Sequence, residues 1–205
     1  MKKAFTLAEV LITLGIIGIV AALTMPSLIA HHRKVATASK LKKFYSTMEQ
    51  AIRFGEAEYG DSNEWVKAGQ QTDKNGAVDY DADSNNTKEF FMTYLAPYFK
   101  YTEIAEGKQI VDENGDTTYV PTTVYLADGT SFALWNGACM DFRFDTNGDK
   151  LPNEFGRDKF AFFMCFTQER RNRECGGSTK AFCPPRYSDK TRDEFIKRCK
   201  SNGYY

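Results

Sequence analysis

Three sets of residues in this sequence are of the types that do chemistry or hold charge. Glu9 is the one charged residue in an apolar run from Leu7 to Ala30. A carboxylate inside a membrane-spanning helix costs roughly 2.5 to 3.5 kcal/mol, so it either stays near the interface, where the helix N-terminal dipole favours it, or meets a positive group brought by another molecule. Asp145, Asn147, Asp149 and Asp158 gather oxygen ligands in a loop rich in Gly and Pro between two expected strands. Calcium takes six to eight such oxygens, but Asp, Asn and Gly in this proportion also simply make turns. The EF-hand template fails here, with Lys150 at its Gly position and Gly156 at its last Glu position. The turn is therefore the favoured reading and a calcium ion the alternative. Asp112 to Asp116 is a weaker stretch of the same kind and reads as a hairpin tip.

The third set is the cysteines, five in number: Cys139, Cys165, Cys175, Cys183 and Cys199. None lies in the apolar run, and in an exported domain they would form bridges. If Cys199 is the one left over, the other four allow three connectivities. Cys175 and Cys183 flank a Gly-Gly loop and are the expected pair, while Cys165, in an aromatic strand, could be a buried thiol. There is no Cys-x-x-Cys, so zinc and thioredoxin-like chemistry are not expected. The two histidines, His31 and His32, follow the apolar run directly, so no histidine remains downstream for a catalytic triad or a metal. Nor does the chain contain a Gly-x-Ser-x-Gly, a phosphate loop or a dinucleotide fingerprint. No catalytic residue is expected and an enzyme is the least favoured class.

The elements that carry these groups fit one domain plus an appendage, as 205 residues allow. Lys and Arg balance Asp and Glu at 27 each, so no net field draws the chain toward nucleic acid. The 24 residues from Leu7 to Ala30 are long enough, at about 1.5 Å per residue, to cross a hydrocarbon core of about 30 Å. Gly15, Gly18 and Pro26 read as helix softeners. The helix pattern then resumes, with Leu41, Phe44, Met48, Ala51, Gly55 and Tyr59 on one face and Gly60 as the stop. The basic cluster His31, His32, Arg33 and Lys34 reads as an interfacial anchor, with binding of DNA or another anionic polymer as the alternative. Asp61 to Thr87 reads as a long polar loop, followed by a short helix capped by Asn86 or Thr87, with Phe90, Phe91, Tyr94 and Leu95 inward and Pro97 at its end. Strands are expected over Val120 to Ala127 and Thr130 to Trp135, joined by Asp128-Gly129, and over Ala138 to Phe144 and Lys159 to Thr167. Asp189 to Lys200 reads as a closing helix. The fold class is α+β, with an antiparallel sheet laid on the stripe of a long N-terminal helix.

The string Lys2-Lys3-Ala4-Phe5-Thr6-Leu7-Ala8-Glu9-Val10-Leu11-Ile12 resembles the N-terminal processing motif of type IV prepilins and type II secretion pseudopilins. It has the short basic leader, a small residue (Ala4, where the family usually has Gly), the Phe, the acid four residues on, and the unbroken apolar helix. The resemblance implies that a prepilin peptidase cuts between Ala4 and Phe5 and methylates the new amine of Phe5. It implies that Glu9 of one subunit pairs with that amine on a neighbour, and that pilin or pseudopilin subunits assemble into a filament from the inner membrane. It further implies residues 1–4 as leader, 5–30 as transmembrane helix, 31–60 as its amphipathic continuation and 61–205 as a head in the periplasm or outside the cell. The resemblance also brings in a calcium loop, which major pseudopilins carry in the region of the head that corresponds to Asp145 to Asp158 here. Relatives often continue past a Cys-x-x-x-Gly stretch to a further Cys, so the partner of Cys199 is expected to have gone with a C-terminal truncation. The alternative to a secretion or pilus subunit is a competence-type pilin that binds DNA, for which Arg170, Arg171, Arg173, Lys180 and Arg186 form a modest basic run. The ordinary meaning of such a run is a solvated loop.

Overall fold

The computed structural model of the chain describes residues 6–69, 72, 74, 76, 78–111, 115 and 117–186. Met1 to Phe5 and the expected closing helix Asp189 to Lys200 lie outside the described residues, as does Cys199. The chain divides into two compact units, residues 1–43 and 44–205.

In the first unit the helix α1 (Leu7–Tyr59) begins; among the described residues it is long and apolar enough to cross a membrane. Leu11, Ile12, Ile16, Ile17, Ile19 and Leu23 all expose more than half of their surface, as a helix whose covering is lipid would. Its hydroxyls are turned onto its own backbone: Thr13 donates to the carbonyls of Glu9 (3.0 Å) and Val10 (2.9 Å), and Thr24 to that of Val20 (2.9 Å). This hides polar groups that hydrocarbon cannot satisfy. Pro26 lies inside α1 without interrupting it.

The second unit takes the rest of α1 and lays it on a sheet. Phe44, Met48, Ala51, Ile52 and Gly55 are buried, so the stripe expected from the sequence gains Ile52, while Tyr59 sits at the rim against Tyr94. A side chain at Gly55 would put its Cβ 2.7 Å from the Trp65 ring and 2.8 Å from the Tyr94 carbonyl oxygen. The helix stops at Gly60, whose φ of 83° is costless only without a Cβ and whose N–H caps the Glu56 carbonyl at 3.0 Å.

The stretch expected as a loop up to Thr87 is partly helical. A 3-10 turn covers Ser62–Glu64, and α2 (Tyr80–Tyr94) starts well before Asn86. The cap is Asp79, whose carboxylate accepts the Ala82 N–H at 3.0 Å, and Asp81 and Asp83 stand in the first turn, where the dipole favours them. Phe90 and Phe91 face inward, and a second 3-10 turn at Ala96–Tyr98, with Pro97, ends the run.

The main sheet consists of β1 (Tyr101–Ala105), β4 (Thr123–Leu126), β5 (Ser131–Asn136), β6 (Met140–Asp145), β7 (Lys159–Met164) and β8 (Phe182–Cys183), side by side in that order. Every pairing is antiparallel. A separate hairpin, β2 (Lys108–Val111) with β3 (Thr117–Val120), interrupts β1 and β4. Val120 thus belongs to a different hairpin from the one expected, whose first strand begins at Thr123. At its turn Asp128 accepts the Thr130 N–H (3.1 Å) and hydroxyl (2.6 Å). Phe132, Leu134, Phe142, Phe144, Phe162 and Met164 alternate onto the inner face and are buried. Phe44 stacks on Phe144 with centroids 4.2 Å apart, and rings of Phe132, Phe162 and Phe182 surround it at 5.5 to 6.1 Å.

Candidate functional site

The start of α1 is built by the residues of the expected processing motif. The Thr6 N–H and the Thr6 hydroxyl both donate to Oε2 of Glu9, each at 2.8 Å, and the Glu9 N–H returns to Thr6 Oγ1 at 3.3 Å. This is a capping box, in which a hydroxyl at the helix start and an acid three residues on satisfy each other's orphan donors. The Thr-x-x-Glu spacing of Thr6 and Glu9 is the sequence signal for this cap. Its other oxygen, Oε1, makes no hydrogen bond among the described residues. A second donor can therefore approach Glu9 while the cap stands. Ala4 and Phe5, the expected cleavage pair, lie outside the described residues. His31 to Lys34 are exposed on α1.

The Asp/Asn loop between β6 and β7 is tied mainly to itself. Asp158, buried, accepts the N–H groups of Asn153 (2.9 Å) and Glu154 (2.6 Å), and both oxygens of Asp149 accept the Tyr125 hydroxyl at 3.0 Å. Asp145, 5% exposed, accepts the Asn147 N–H at 3.0 Å. Burial pushes its carboxyl up to about 6, with Asp158 and Asp149 adding to the push and Lys159 opposing it. Among the described residues no three Asp, Glu, His or Cys side chains converge as a metal cluster. Two buried oxygens are nevertheless orphaned, Oδ1 of Asn147 and Oδ1 of Asn153. Their amide nitrogens donate to the carbonyls of Lys150 (2.9 Å) and Asp149 (3.4 Å), so exchanging O and N in either side chain would set oxygen against oxygen. These two oxygens fit a hard cation. The loop also walls a cleft of about 410 Å³ on the outer face of the sheet, with Tyr125, Arg143 and Lys159 among its lining.

Cys139 is bonded to Cys165 and Cys175 to Cys183, so Cys165 is not a free thiol. The four cysteines and Phe163 form one buried cluster. The basic run is not a solvated loop throughout. Gln168–Glu174 form α3, capped by Thr167, and Arg171 is buried, donating to Oδ1 of Asn63 (2.7 Å) and the Cys165 carbonyl (3.1 Å). Arg173 pairs with Glu174 at 2.9 Å and Lys180 with Glu49 at 2.6 Å. The strands flanking Asp112 to Asp116 pair as a hairpin, while most of that tip lies outside the described residues.

Residues 1–25 match the prokaryotic N-terminal methylation motif. That motif is the signature of type IV prepilins and pseudopilins, and with the apolar helix start capped through Glu9 and the helix-on-sheet α+β unit it supports a type IV pilin-like subunit. Residues 27–202 match the family of unknown function DUF6613, and the chain belongs to that family. No curated protein and no solved structure matches it.

Proposed function

We propose that this chain is a pseudopilin or minor pilin, held by α1 in the inner membrane with its second unit in the periplasm or outside the cell, and drawn from there into a type II secretion or type IV pilus filament. The observation that carries the reading is the capped carboxylate of Glu9 at the head of an exposed apolar helix, directly within the methylation motif. Cleavage between Ala4 and Phe5 removes Lys2 and Lys3 and leaves an ammonium, kept charged by methylation, at the end of an apolar helix. That cation needs an anion in lipid, and Oε1 of Glu9 on a neighbouring subunit supplies one. The ion pair sets axial register while apolar packing supplies adhesion.

The test is co-expression with a prepilin peptidase followed by N-terminal sequencing. A chain starting at N-methylated Phe5 supports the reading; an intact Met1 or a cut beyond Ala30 refutes it. A competence-type, DNA-binding role has less to work with, since Arg171 is buried and Arg173 and Lys180 are paired with acids.

A second reading, that the loop from Asp145 to Asp158 takes calcium, is favoured by the orphaned oxygens of Asn147 and Asn153. The three carboxylates do not converge as they stand, so the ion would be held by Oδ1 of Asn147 and of Asn153 with Asp145, Asp149 and Asp158 drawn in around it, and it would supply charge neutralisation and loop rigidity. Calcium should raise the melting temperature where magnesium does not, because the larger ion accepts irregular oxygen shells. Equal curves with calcium and with chelator would leave the loop held by its own hydrogen bonds.

A further inference from the structure

Three polar side chains meet in the second unit in an arrangement that ordinary packing does not call for. Lys67, in the segment after the first 3-10 turn, places Nζ 2.5 Å from Oδ1 of Asn136, the last residue of β5. The amide nitrogen of Asn136 donates to Oδ1 of Asp83, in the first turn of α2, at 3.0 Å, and to the Ala68 carbonyl at 3.3 Å. Those two acceptors fix which amide atom is oxygen. Asn136 and Asp83 are each 5% exposed and Lys67 is half-buried.

The usual reading of such a trio is a satisfied buried network. One feature goes further. An ammonium next to a buried carboxylate ordinarily takes the carboxylate as its closest partner. Here the hydrogen bond of Lys67 goes to the amide carbonyl, while the carboxylate holds the amide nitrogen. Amine, carbonyl and a proton carrier at the leaving nitrogen are the three parts of an acyl transfer.

We propose that Lys67 and Asn136 join in an intramolecular isopeptide bond, with Asp83 carrying the protons. One proton of the Lys67 ammonium passes to Asp83, and the neutral amine attacks Cγ of Asn136, pushing the carbonyl electron pair onto Oδ1. Asp83 gives its proton to Nδ2 and takes one from Nζ. The carbonyl re-forms, the Cγ–Nδ2 bond breaks with its pair on nitrogen, and ammonia leaves. The product is an Nζ–Cγ amide, one ammonia and a protonated Asp83, with no oxidant, metal or cofactor required.

The surroundings favour the first step. Burial lowers the pKa of Lys67, with Arg170 adding to the effect and Asp141 and Asp83 opposing it. The approach is held by neighbours: Trp65 stacks on Tyr94 at 4.6 Å, and the Val66 N–H donates to the Tyr94 hydroxyl at 3.2 Å. A nucleophile fixed in this way reacts as though at very high concentration. The bond would tie residues 69 positions apart and enclose α2 and β1 to β4. Together with the bridge from Cys139 to Cys165, it would give a subunit that bears load along a filament covalent ties on both sides of β5.

The test is mass spectrometry of the full chain purified in detergent, reduced and alkylated. The intact mass should fall short of the sequence mass, after processing is accounted for, by about 17 Da, one ammonia. Trypsin should release residues 54–74, uncut at Lys67, joined to residues 109–143. Lys67→Arg should restore the full mass and the linear peptides. Asp83→Ala, checked for folding by circular dichroism, should leave both peptides linear; a folded Asp83→Ala that still cross-links would remove Asp83 from the mechanism. Linear peptides from folded wild-type protein would overturn the proposal. So would an ammonia loss that persists in Lys67→Arg, which would assign it to ring closure at Asn136-Gly137 instead.

Discussion

Glu9 does two things, capping α1 and offering a charge, and two substitutions separate them. Thr6→Val removes the hydroxyl, and with it two of the three hydrogen bonds between Thr6 and Glu9, while the backbone N–H at position 6 still reaches Oε2 and the charge stays. Losing such a cap costs about 1 kcal/mol, a factor of about five in the population of the ordered helix start. Glu9→Gln keeps an acceptor oxygen where Oε2 stands, so the cap survives, but the charge is gone. A unit pair about 4 Å apart at an effective dielectric of about 20 is worth about 4 kcal/mol, close to a thousandfold in one contact. The expected result is a few-fold loss of filament for Thr6→Val and loss below detection for Glu9→Gln, with both proteins present in the membrane fraction. Sheared filaments and membranes compared on one immunoblot read this directly. Wild-type filament yield from Glu9→Gln would refute the charge argument. Equal, severe loss in both variants would show that helix order is what assembly needs.

Three further outcomes follow from the second unit. Gly55→Ala drives a Cβ into the Trp65 ring and the Tyr94 carbonyl oxygen, and should lower stability by about 2 kcal/mol, read from urea melts, despite the better helix propensity of alanine. The two disulfides span 26 and 8 residues, so on loop-closure grounds opening Cys139–Cys165 should cost about 3.5 kcal/mol and opening Cys175–Cys183 about 2.5 kcal/mol, measured with paired Cys→Ser variants. Because Asp145 is raised from 3.8 to about 6, the folded state binds the extra proton. Stability should therefore fall as pH rises from about 4 through about 6 and stay level above; in chelator, Asp145→Asn should abolish that fall and melt higher than wild type at about pH 7.5. A wild-type melting curve unchanged over that window would contradict the assigned burial.

The parts of this protein that could be read from its sequence are those with a period. Leu7 to Ala30 is apolar throughout, Phe44 to Gly55 repeats at three and four, and β5 to β7 alternate large rings with polar residues, so helix, stripe and central strands were all legible. The start of α2 was not, because Tyr80 to Thr87 is mostly polar and its helicity rests on Asp79 as a cap and on Asp83, Ser84 and Thr87 being buried by tertiary contacts. β2 is exposed along its length, so no alternation betrays it. Arg171 looked like a solvent cation and is buried on neutral oxygens, a fate set by Asn63, over a hundred residues away. The choice among cysteine pairings, and the meeting of Lys67, Asp83 and Asn136, are likewise products of topology that local spacing does not encode.

The order of strands in the main sheet has a bearing on how the protein is made. From β4 to β8 each strand lies beside its successor, so this part assembles from near neighbours and should close quickly once synthesised. Its partner helix, however, is finished before the first strand exists. For the time it takes the ribosome to add roughly a hundred more residues, Phe44, Met48 and Ile52 have nothing to cover them, and the nascent intermediate is where clumping threatens and where a chaperone would earn its keep.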